Sequence, residues 1–227
     1  MKKVLLTAPG QNIPNIVFGI NQNDFDNEQQ IFSAASCTTN AIVPVLKIIN
    51  DKFGIKQGHI ESIHAYTNDQ NLVDNMHSKY RRGRAAALNM VITETGAGKA
   101  VDKAIPGLGK KLTRNAIRVP VSNGSLAILK LSLIKNTSVE KINAAIKDAA
   151  CKGDLVEQIK YSVSQELVSS DVVGDSCCSI LDSQSTILHS DKKSAVLYVW
   201  YDNEYGYTRQ VMRLAKHIVG VKRRTYF

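Results

Sequence analysis

Two residues of this sequence could together perform nucleophilic chemistry, Cys37 and His64. Cys37 stands where the strand-like run Gln30–Phe32 gives way to the apolar run Ala41–Ile49, so a strand is expected to lead into a helix there. A cysteine at a helix start faces unpaired N–H groups and the positive end of the helix dipole, and both favour the thiolate. Cys37 is therefore a candidate nucleophile.

His64 lies in an alternating segment, Ile60–Thr67, that is typical of a strand. If the end of this strand lies beside the strand that delivers Cys37, the imidazole can take the thiol proton and later act as acid or base. A buried free cysteine and a structural core histidine are the alternatives, and both are common. The spacing of the two residues does not decide between these alternatives and catalysis.

A longer pattern around Cys37 favours catalysis. Ser-Cys-Thr-Thr-Asn at 36–40 resembles the active-site signature of the glyceraldehyde-3-phosphate dehydrogenase family. Five further matches follow in the family's order: His-Ala-Tyr-Thr-Asn-Asp-Gln at 64–70, Arg-Arg-Gly-Arg-Ala-Ala-Ala at 81–87, Thr-Gly-Ala at 95–97, Arg-Val-Pro at 118–120 and Trp-Tyr-Asp-Asn-Glu-Tyr-Gly-Tyr at 200–207. The resemblance extends over most of the chain, and so many ordered matches do not arise by accident.

The resemblance implies a reaction and a role for each matched residue. Cys37 would attack an aldehyde carbonyl, the hemithioacetal would lose a hydride to NAD, or NADP, and inorganic phosphate would cleave the thioester, with His64 as acid and base. The implied binding residues are Thr67, Arg118 and Arg82 for the substrate phosphate, Ser36, Thr38, Thr95 and Gly96 for inorganic phosphate, and Asn203 with Tyr207 nearby for the nicotinamide. The implied partners are an aldose phosphate, inorganic phosphate and further copies of the chain, since the family is tetrameric.

Two departures from the family pattern are visible. The usual Ser-Asn-Ala-Ser-Cys is Ser-Ala-Ala-Ser-Cys at 33–37, and the usual Pro-Thr-x-Asn-x-Ser is Pro-Val-Ser-Asn-Gly-Ser at 120–125. Neither removes a catalytic group. Two alternatives stay open: an erythrose-4-phosphate dehydrogenase, which is a close relative, and a non-enzymatic oligomerising fragment.

The composition of the 227 residues, 44% hydrophobic and 22% charged, is that of a soluble globular protein. The apolar run after Met1 is too short for a signal peptide or a membrane span, and Pro9-Gly10 interrupts it, so a cytoplasmic protein without a membrane partner is expected. The four cysteines form no C-x-x-C pattern, which predicts reduced thiols and no metal site.

The net charge of +9 favours anionic partners, either nucleic acids or phosphorylated substrates. The basic clusters at 79–84, 110–111 and 222–224 lack the interleaved aromatic residues of a nucleic-acid stacking platform. We therefore expect no specific nucleic-acid binding. The arginine cluster at 81–84 is instead expected to serve substrate phosphate and a neighbouring subunit, as the resemblance implies.

The predicted fold class is α+β, a mixed sheet with helices packed on it, together with a remnant of a Rossmann α/β domain. Residues 1–36 contain only strand-like pieces at 3–8, 15–20 and 30–34, and no Gly-x-Gly-x-x-Gly follows them, so most of an N-terminal NAD-binding domain would be absent. The predicted division is a remnant of that domain at 1–36, a catalytic domain at 37–201, and a C-terminal helix at 202–227 that packs with the NAD-binding domain.

Periodicity places the elements within the catalytic part. Helices are predicted at 38–51, from Thr95 onward, at 138–150 and at 207–219, and strands at 60–66, 116–121, 126–134, 179–181, 185–188 and 195–201. The polar stretch 67–95 is predicted to be a functional loop, which the resemblance identifies with an interface loop.

Overall fold

The fold is that of a computed structural model, which describes residues 2–25, 28–94 and 97–221. The strands are β1 (Val4–Leu6), β2 (Ile31–Ser33), β3 (Ile55–Ala65), β4 (Val91–Thr93), β5 (Leu112–Val119), β6 (Ser125–Leu133), β7 (Ile159–Ser162), β8 (Ser179–Asp182), β9 (Ile187–Leu188) and β10 (Ser194–Tyr201). The helices are α1 (Cys37–Phe53), α2 (Ala97–Ala104), α3 (Val139–Cys151) and α4 (Tyr205–Ile218). None of the helices in these described ranges is long and apolar enough to cross a membrane.

One large sheet carries most of the structure, in the order β4-β5-β3-β6-β10-β8-β7, with β9 paired to β10. The pairs β3/β5 and β7/β8 are parallel, and the pairs of β6 with β3 and with β10 are antiparallel. Since helices pack on this mixed sheet, the predicted α+β class is confirmed. β1 and β2 form a separate two-stranded parallel sheet.

Helix α1 lies at the centre of the main core and packs against β10, β8 and β6. The Ser36 hydroxyl caps its start by accepting a hydrogen bond from the Thr39 N–H, and Gly54 ends it with a φ of 69°. Its predicted apolar stripe, at 42, 45, 46 and 49, is fully buried. This packing fixes the first turn of α1, where Cys37 lies, against one end of the sheet.

A smaller core joins the two ends of the chain. Ile16 and Phe32 from the N-terminal segment are buried against Leu214 of α4. The C-terminal helix therefore packs on residues that precede the nucleophile. The predicted division into domains stays a prediction.

Three local predictions differ from the structure. Residues 15–20 do not form a strand, because Gly19 adopts a φ of 89° and the Asn21 side chain accepts from the Val17 N–H, which turns the chain; only Asn15 bridges to Ser33. The stretch 67–95 contains a 3-10 turn at Tyr80–Gly83 and strand β4. Strand β7 was not predicted, and Thr95, the predicted helix start, lies outside the described residues.

Candidate active site

Strand register places His64 beside Arg118. The two are direct partners in the parallel β3/β5 pair, so their side chains project from the same face near the carboxyl ends of both strands. The start of α1 lies over this end and brings Cys37 to His64. Cys37 thus arrives on a helix start, as predicted, but the strand before it belongs to the small sheet and is not a neighbour of β3.

The Cys37 sulfur and the His64 imidazole are in contact, with 3.7 Å between Sγ and Nε2. On the other side of the ring, Nδ1 lies 2.7 Å from the carbonyl oxygen of Ala65. A carbonyl oxygen can only accept a hydrogen bond, so this contact favours a ring proton on Nδ1 and a lone pair on Nε2 that faces the thiol, against the Arg118 guanidinium, a donor that also contacts Nδ1. This is the tautomer that a base for Cys37 requires.

The imidazole is held in its neutral form. Burial disfavours the charged ring, and the Arg118 guanidinium, which contacts Nδ1 and also donates to the Ala65 carbonyl, repels a second positive charge. Together they lower the pKa of His64 to about 4. At neutral pH, His64 is therefore a proton acceptor.

The Cys37 thiol departs from the sequence prediction. Its pKa is raised, because protein atoms crowd the sulfur and remove water from it. The hydroxyl and N–H of Thr38, the Asn203 amide and the Arg118 charge lower the pKa, but burial outweighs them. The helix start acts in the predicted direction, but the burial of the sulfur, which the sequence did not predict, outweighs it and favours the thiol.

A buried tyrosine, Tyr201, makes contacts near both members of the pair. The Tyr201 hydroxyl lies 2.9 Å from the Thr38 hydroxyl and 2.9 Å from the Ser62 hydroxyl, and Tyr201 itself is fully buried. The Tyr201 ring also meets the His64 ring edge-on, at 6.1 Å between centroids. These contacts fix the first turn of α1 relative to β3 and hence the distance between sulfur and imidazole.

The predicted cofactor residues both lie near Cys37. The Asn203 amide nitrogen is 3.9 Å from Sγ and 3.3 Å from Nε2 of His64. The Tyr207 hydroxyl donates to the carbonyl of Ala35, two residues before the nucleophile, and burial raises the pKa of Tyr207 to about 12. Ala35 has a φ of 56°, an unfavourable conformation for alanine that turns the chain sharply into α1.

A cavity of about 630 Å³ opens in front of the pair, and its wall has more basic than acidic side chains, since Glu94, which pairs with Lys79, is its one acidic residue among the described lining residues. Four cationic side chains contribute to the wall: Lys79, Arg82, Arg114 and Arg118. Arg82 is held by Asp69, the Thr93 hydroxyl and the Glu94 carbonyl. This arrangement suits an anionic ligand placed next to the sulfur.

The other predicted phosphate residues are placed unequally. Ser36 and Thr38 line the cavity, although their hydroxyls also serve the α1 cap and Tyr201. Thr67 follows β3 and closes a turn with Gln70, and it is not among the described residues that line the cavity. Thr95 and Gly96 lie outside the described residues. Within the described ranges, no cluster of three or more potential metal ligands occurs.

Sequence reasoning missed four residues of the site: Tyr201, Ser125, Asn123 and Arg114. The signal for Arg114 was its spacing of four from Arg118 on one strand, which places both on the same face. The signal for Tyr201 was its position on the apolar face of the alternating run 195–201. Ser125, which donates to the Asn203 side chain, and Asn123, which accepts from the Asn203 N–H, match the Asn and Ser of the family pattern at 120–125, and that match was the signal for them.

The chain is similar to known proteins over most of its length. The sequence profile of the family described as "Glyceraldehyde 3-phosphate dehydrogenase, C-terminal domain" matches residues 36–203. A "Glyceraldehyde-3-phosphate dehydrogenase-like protein" of Pseudomonas aeruginosa (strain UCBPP-PA14) is 54% identical over 220 residues, which cover 96% of this chain and 47% of that protein.

Two further relatives carry the name "Glyceraldehyde-3-phosphate dehydrogenase". The protein of Clostridium pasteurianum is 46% identical over 225 residues, 97% of this chain and 66% of its own length. That of Mycobacterium leprae (strain TN) is 46% identical over 214 residues, 94% of this chain and 62% of its own length. The chain thus spans between about half and two thirds of the length of these relatives.

Proposed function

Because the chain belongs to the glyceraldehyde-3-phosphate dehydrogenase family, we propose that it carries the catalytic centre of a phosphorylating aldehyde dehydrogenase that acts on an aldose phosphate. The observation that carries this proposal is the contact between Cys37 Sγ and His64 Nε2 at the edge of a basic cavity. A nucleophile, a base and an anion-binding wall are the three parts that this chemistry needs.

Cys37 and His64 perform the first step. As the sulfur attacks the aldehyde carbon, a carbon–sulfur bond forms, and the thiol proton passes to Nε2 and from there to the carbonyl oxygen, which becomes a hydroxyl group. Since the neutral forms of both groups are favoured before substrate binds, the proton moves within the pair during the attack. His64 then takes the proton of the new hydroxyl group when the adduct is oxidised.

Phosphate completes the reaction. An oxygen of inorganic phosphate attacks the thioester carbon, the carbon–sulfur bond breaks, an acyl phosphate forms, and Cys37 returns as a thiolate that regains its proton from His64. Arg118 lies beside His64 and lines the cavity, so it is placed to hold the phosphate of the aldose near the reacting carbon. Arg82, from the same wall, and Thr67 are assigned to the substrate phosphate with Arg118. The residues assigned to inorganic phosphate are Ser36, Thr38, Thr95 and Gly96.

The chemistry that NAD supplies when bound is acceptance of a hydride from the aldehyde carbon. The residues present fit its nicotinamide end: the Asn203 side chain is partly exposed next to Cys37, with an amide that can pair with a carboxamide, and the Tyr207 hydroxyl donates to Ala35, two residues before Cys37. The sequence contains no Gly-x-Gly-x-x-Gly. We therefore expect this chain alone to bind NAD weakly. Turnover, which we expect in the cytoplasm, should require a binding site for the adenosine part of NAD.

Assembly with further copies is the second part of the proposal. The segment 66–90 exposes several large apolar side chains, among them Leu72 at 83%, Met76 at 92% and Tyr80 at 91%. Such a cluster of exposed apolar side chains favours burial against a partner. We propose a homo-oligomer, with the tetramer of the family as the expected state, and light scattering at micromolar concentrations tests it, since a monomer would contradict it.

The reaction is tested by trapping the acyl group. The chain is incubated with glyceraldehyde 3-phosphate and millimolar NAD, quenched in acid and mapped by mass spectrometry, and an acyl adduct is expected on Cys37. Replacement of His64 by Gln should lower the rate of its formation by about 100-fold or more. Cys151→Ser, which removes an exposed thiol, is the matched control.

A second readout does not depend on NAD. Formation of the hemithioacetal should protect Cys37 from iodoacetamide, and Arg118→Ala should weaken the protection. Absence of both adduct and protection would reject the dehydrogenase and favour the non-enzymatic oligomerising alternative. Stronger protection by erythrose 4-phosphate than by glyceraldehyde 3-phosphate would assign the enzyme to the erythrose-4-phosphate group.

A further inference from the structure

The Asn203 amide lies between the catalytic pair and the Ser125 hydroxyl. Nδ2 faces His64 Nε2 and Cys37 Sγ, while Ser125 Oγ donates to Oδ1 at 2.7 Å. We propose that Ser125 orients the Asn203 amide, and that this amide is a positioning group that keeps the lone pair of His64 toward Cys37 and stabilises the sulfur anion. The inference rests on the proposed function, because it requires Cys37 and His64 to react together.

The orientation of the amide follows from its partners. A terminal amide accepts at one end and donates at the other, so neighbouring groups decide which end faces the pair. The Ser125 hydroxyl accepts from the Ala65 N–H at 3.0 Å and donates its own proton to Oδ1. Since Ser125 is fully buried, a flipped amide would leave its proton only the Tyr201 hydroxyl, which Thr38 and Ser62 already share, and no water. Nδ2 is therefore held toward the pair.

The backbone of Asn203 is hydrogen-bonded to the loop at 123–125, which also contains Ser125. Its N–H donates to Asn123 Oδ1 at 2.9 Å, and Asn123 Nδ2 donates to the buried Asp202 carboxylate at 3.0 Å. Between Asn123 and Ser125, Gly124 has a φ of 86°, and a Cβ there would lie 2.3 Å from the Ser169 carbonyl oxygen. The loop at 123–125 thus holds Asn203 at two points, through its backbone and through its side chain.

This arrangement specifies the protonation of His64. An N–H directed at Nε2 needs a lone pair there, which leaves the ring proton on Nδ1, where the Ala65 carbonyl accepts it. The Ala65 carbonyl and the Asn203 amide therefore favour the same tautomer, which the Arg118 N–H at Nδ1 opposes. A hydrogen-bonding neighbour that fixes a histidine in this way commonly matters nearly as much as the histidine itself.

The same amide acts on the sulfur. Burial raises the pKa of Cys37, and the Asn203 N–H is one of the groups that oppose it. A hydrogen bond to a developing thiolate strengthens as charge accumulates, so the amide contributes most when Cys37 ionises. Loss of the amide, or of the hydroxyl that orients it, should make the thiolate harder to form.

The test compares the pH dependence of Cys37 alkylation by iodoacetamide in the wild-type chain and in Asn203→Leu, Ser125→Ala and Ser125→Thr. The first two variants should raise the pH at which Cys37 ionises and lower the rate at pH 7 by about three- to tenfold, a range that allows for the greater nucleophilicity of a more basic thiolate. Ser125→Thr keeps the hydroxyl and should retain the wild-type profile.

Asn143→Leu is the matched control, because the Asn143 amide is held on both sides, by the Thr186 hydroxyl and the Ser183 carbonyl, away from the cavity. The second readout is the ¹⁵N NMR spectrum of the His64 ring. Wild type should carry its proton on Nδ1, and both Ser125→Ala and Asn203→Leu should raise the share protonated at Nε2.

An unchanged pH profile together with an unchanged tautomer, in variants with native near-UV circular dichroism, would overturn the proposal. Should Ser125→Ala not fold, Asn203→Leu decides alone, since its side chain is only partly buried. Failure of the proposed function would appear differently, as a wild-type Cys37 that forms no acyl adduct.

Discussion

The Arg118 guanidinium lies against Nδ1 of His64, so a permanent positive charge faces the ring that would become positive on protonation. Replacement of Arg118 by Leu removes this charge, and the pKa of His64 should rise from about 4 but stay below the ordinary value near 6.5, because burial, the larger cause of the lowered pKa, remains. NMR titration of the His64 ring signals, assigned with His64→Gln, measures the change. Arg114→Leu removes an arginine from the same strand face and cavity and should leave the pKa near its wild-type value; an equal rise in both variants would contradict the assignment.

The low pKa of His64 makes stability depend on pH in a defined window. The unfolded chain protonates this histidine near pH 6.5 and the folded chain near pH 4, so the unfolded state binds more protons between these values. The stabilising contribution is complete above pH 6.5 and is lost as the pH falls to 4, by up to about 3 kcal/mol. The free energy of unfolding in urea, measured at pH 6.5 and pH 4 for the wild type and for His64→Gln, isolates this contribution. Parallel losses in the two proteins would exclude His64 as the cause.

Tyr201→Phe should destabilise the chain by about 1–3 kcal/mol, because the Thr38 and Ser62 hydroxyls would lose a shared buried partner. Denaturant unfolding measures the loss. Tyr198→Phe, three positions earlier on the same strand and partly exposed, should cost less than about 0.5 kcal/mol. Equal effects of the two substitutions would show that the Tyr201 hydroxyl is not a structural contact.

Cys178 should be the least reactive of the four thiols. It is 2% exposed, its S–H donates to the carbonyls of Asn40 and Gln158, and burial raises its pKa to about 12. Labelling of Cys178 should therefore require unfolding, and its rate should follow the unfolded fraction as urea is added. Cys151 is exposed and serves as the internal reference. Labelling of Cys178 at the Cys151 rate in buffer would be incompatible with this packing.

Inorganic phosphate should stabilise the fold through the basic cavity. At ten times the dissociation constant the expected gain is about 1.4 kcal/mol, which corresponds to a rise of a few degrees in the unfolding temperature. Arg118→Ala should abolish this gain, while Lys110→Ala, an exposed lysine elsewhere, should preserve it. Thermal unfolding with and without phosphate gives the comparison, and equal stabilisation of Arg118→Ala would place the anion at another site.

The sequence predicted the elements whose signals are local. Helices α1 and α3 have a capping serine and an apolar stripe, and both lie close to their predicted bounds. Strands β4 and β7 were not predicted: they have three and four residues, and with so few residues the pattern depends on the neighbouring sequence, as it does for the equally short β1 and β8, which were predicted. The strand predicted at 15–20 failed because the turn chemistry of Gly19 and Asn21 competes with pairing.

The sequence predicted the reacting residues of the site but not the contacts that support them. Tyr201 and Ser125 lie within recognisable motifs, as Cys37 and His64 do, but their contacts depend on register: they are paired on β10 and β6, and the face that each occupies decides its partners. The raised pKa of Cys37 escaped prediction for a similar reason. The position of Cys37 at a helix start can be predicted from the neighbouring residues, whereas the burial of its sulfur depends on residues from distant parts of the chain.

The reactive centre depends on the parallel pairing of β3 with β5, a contact between distant parts of the chain. β3 ends at Ala65 and β5 begins at Leu112, and such non-local pairings form slowly, so we expect the centre to assemble late in folding. A slip of one residue would keep the strands paired but send the Arg118 side chain to the opposite face. Sheet content alone would not distinguish that misassembled form from the native one. The chemical response of Cys37 to phosphate would, which makes it a stricter measure of correct assembly than any spectrum of secondary structure.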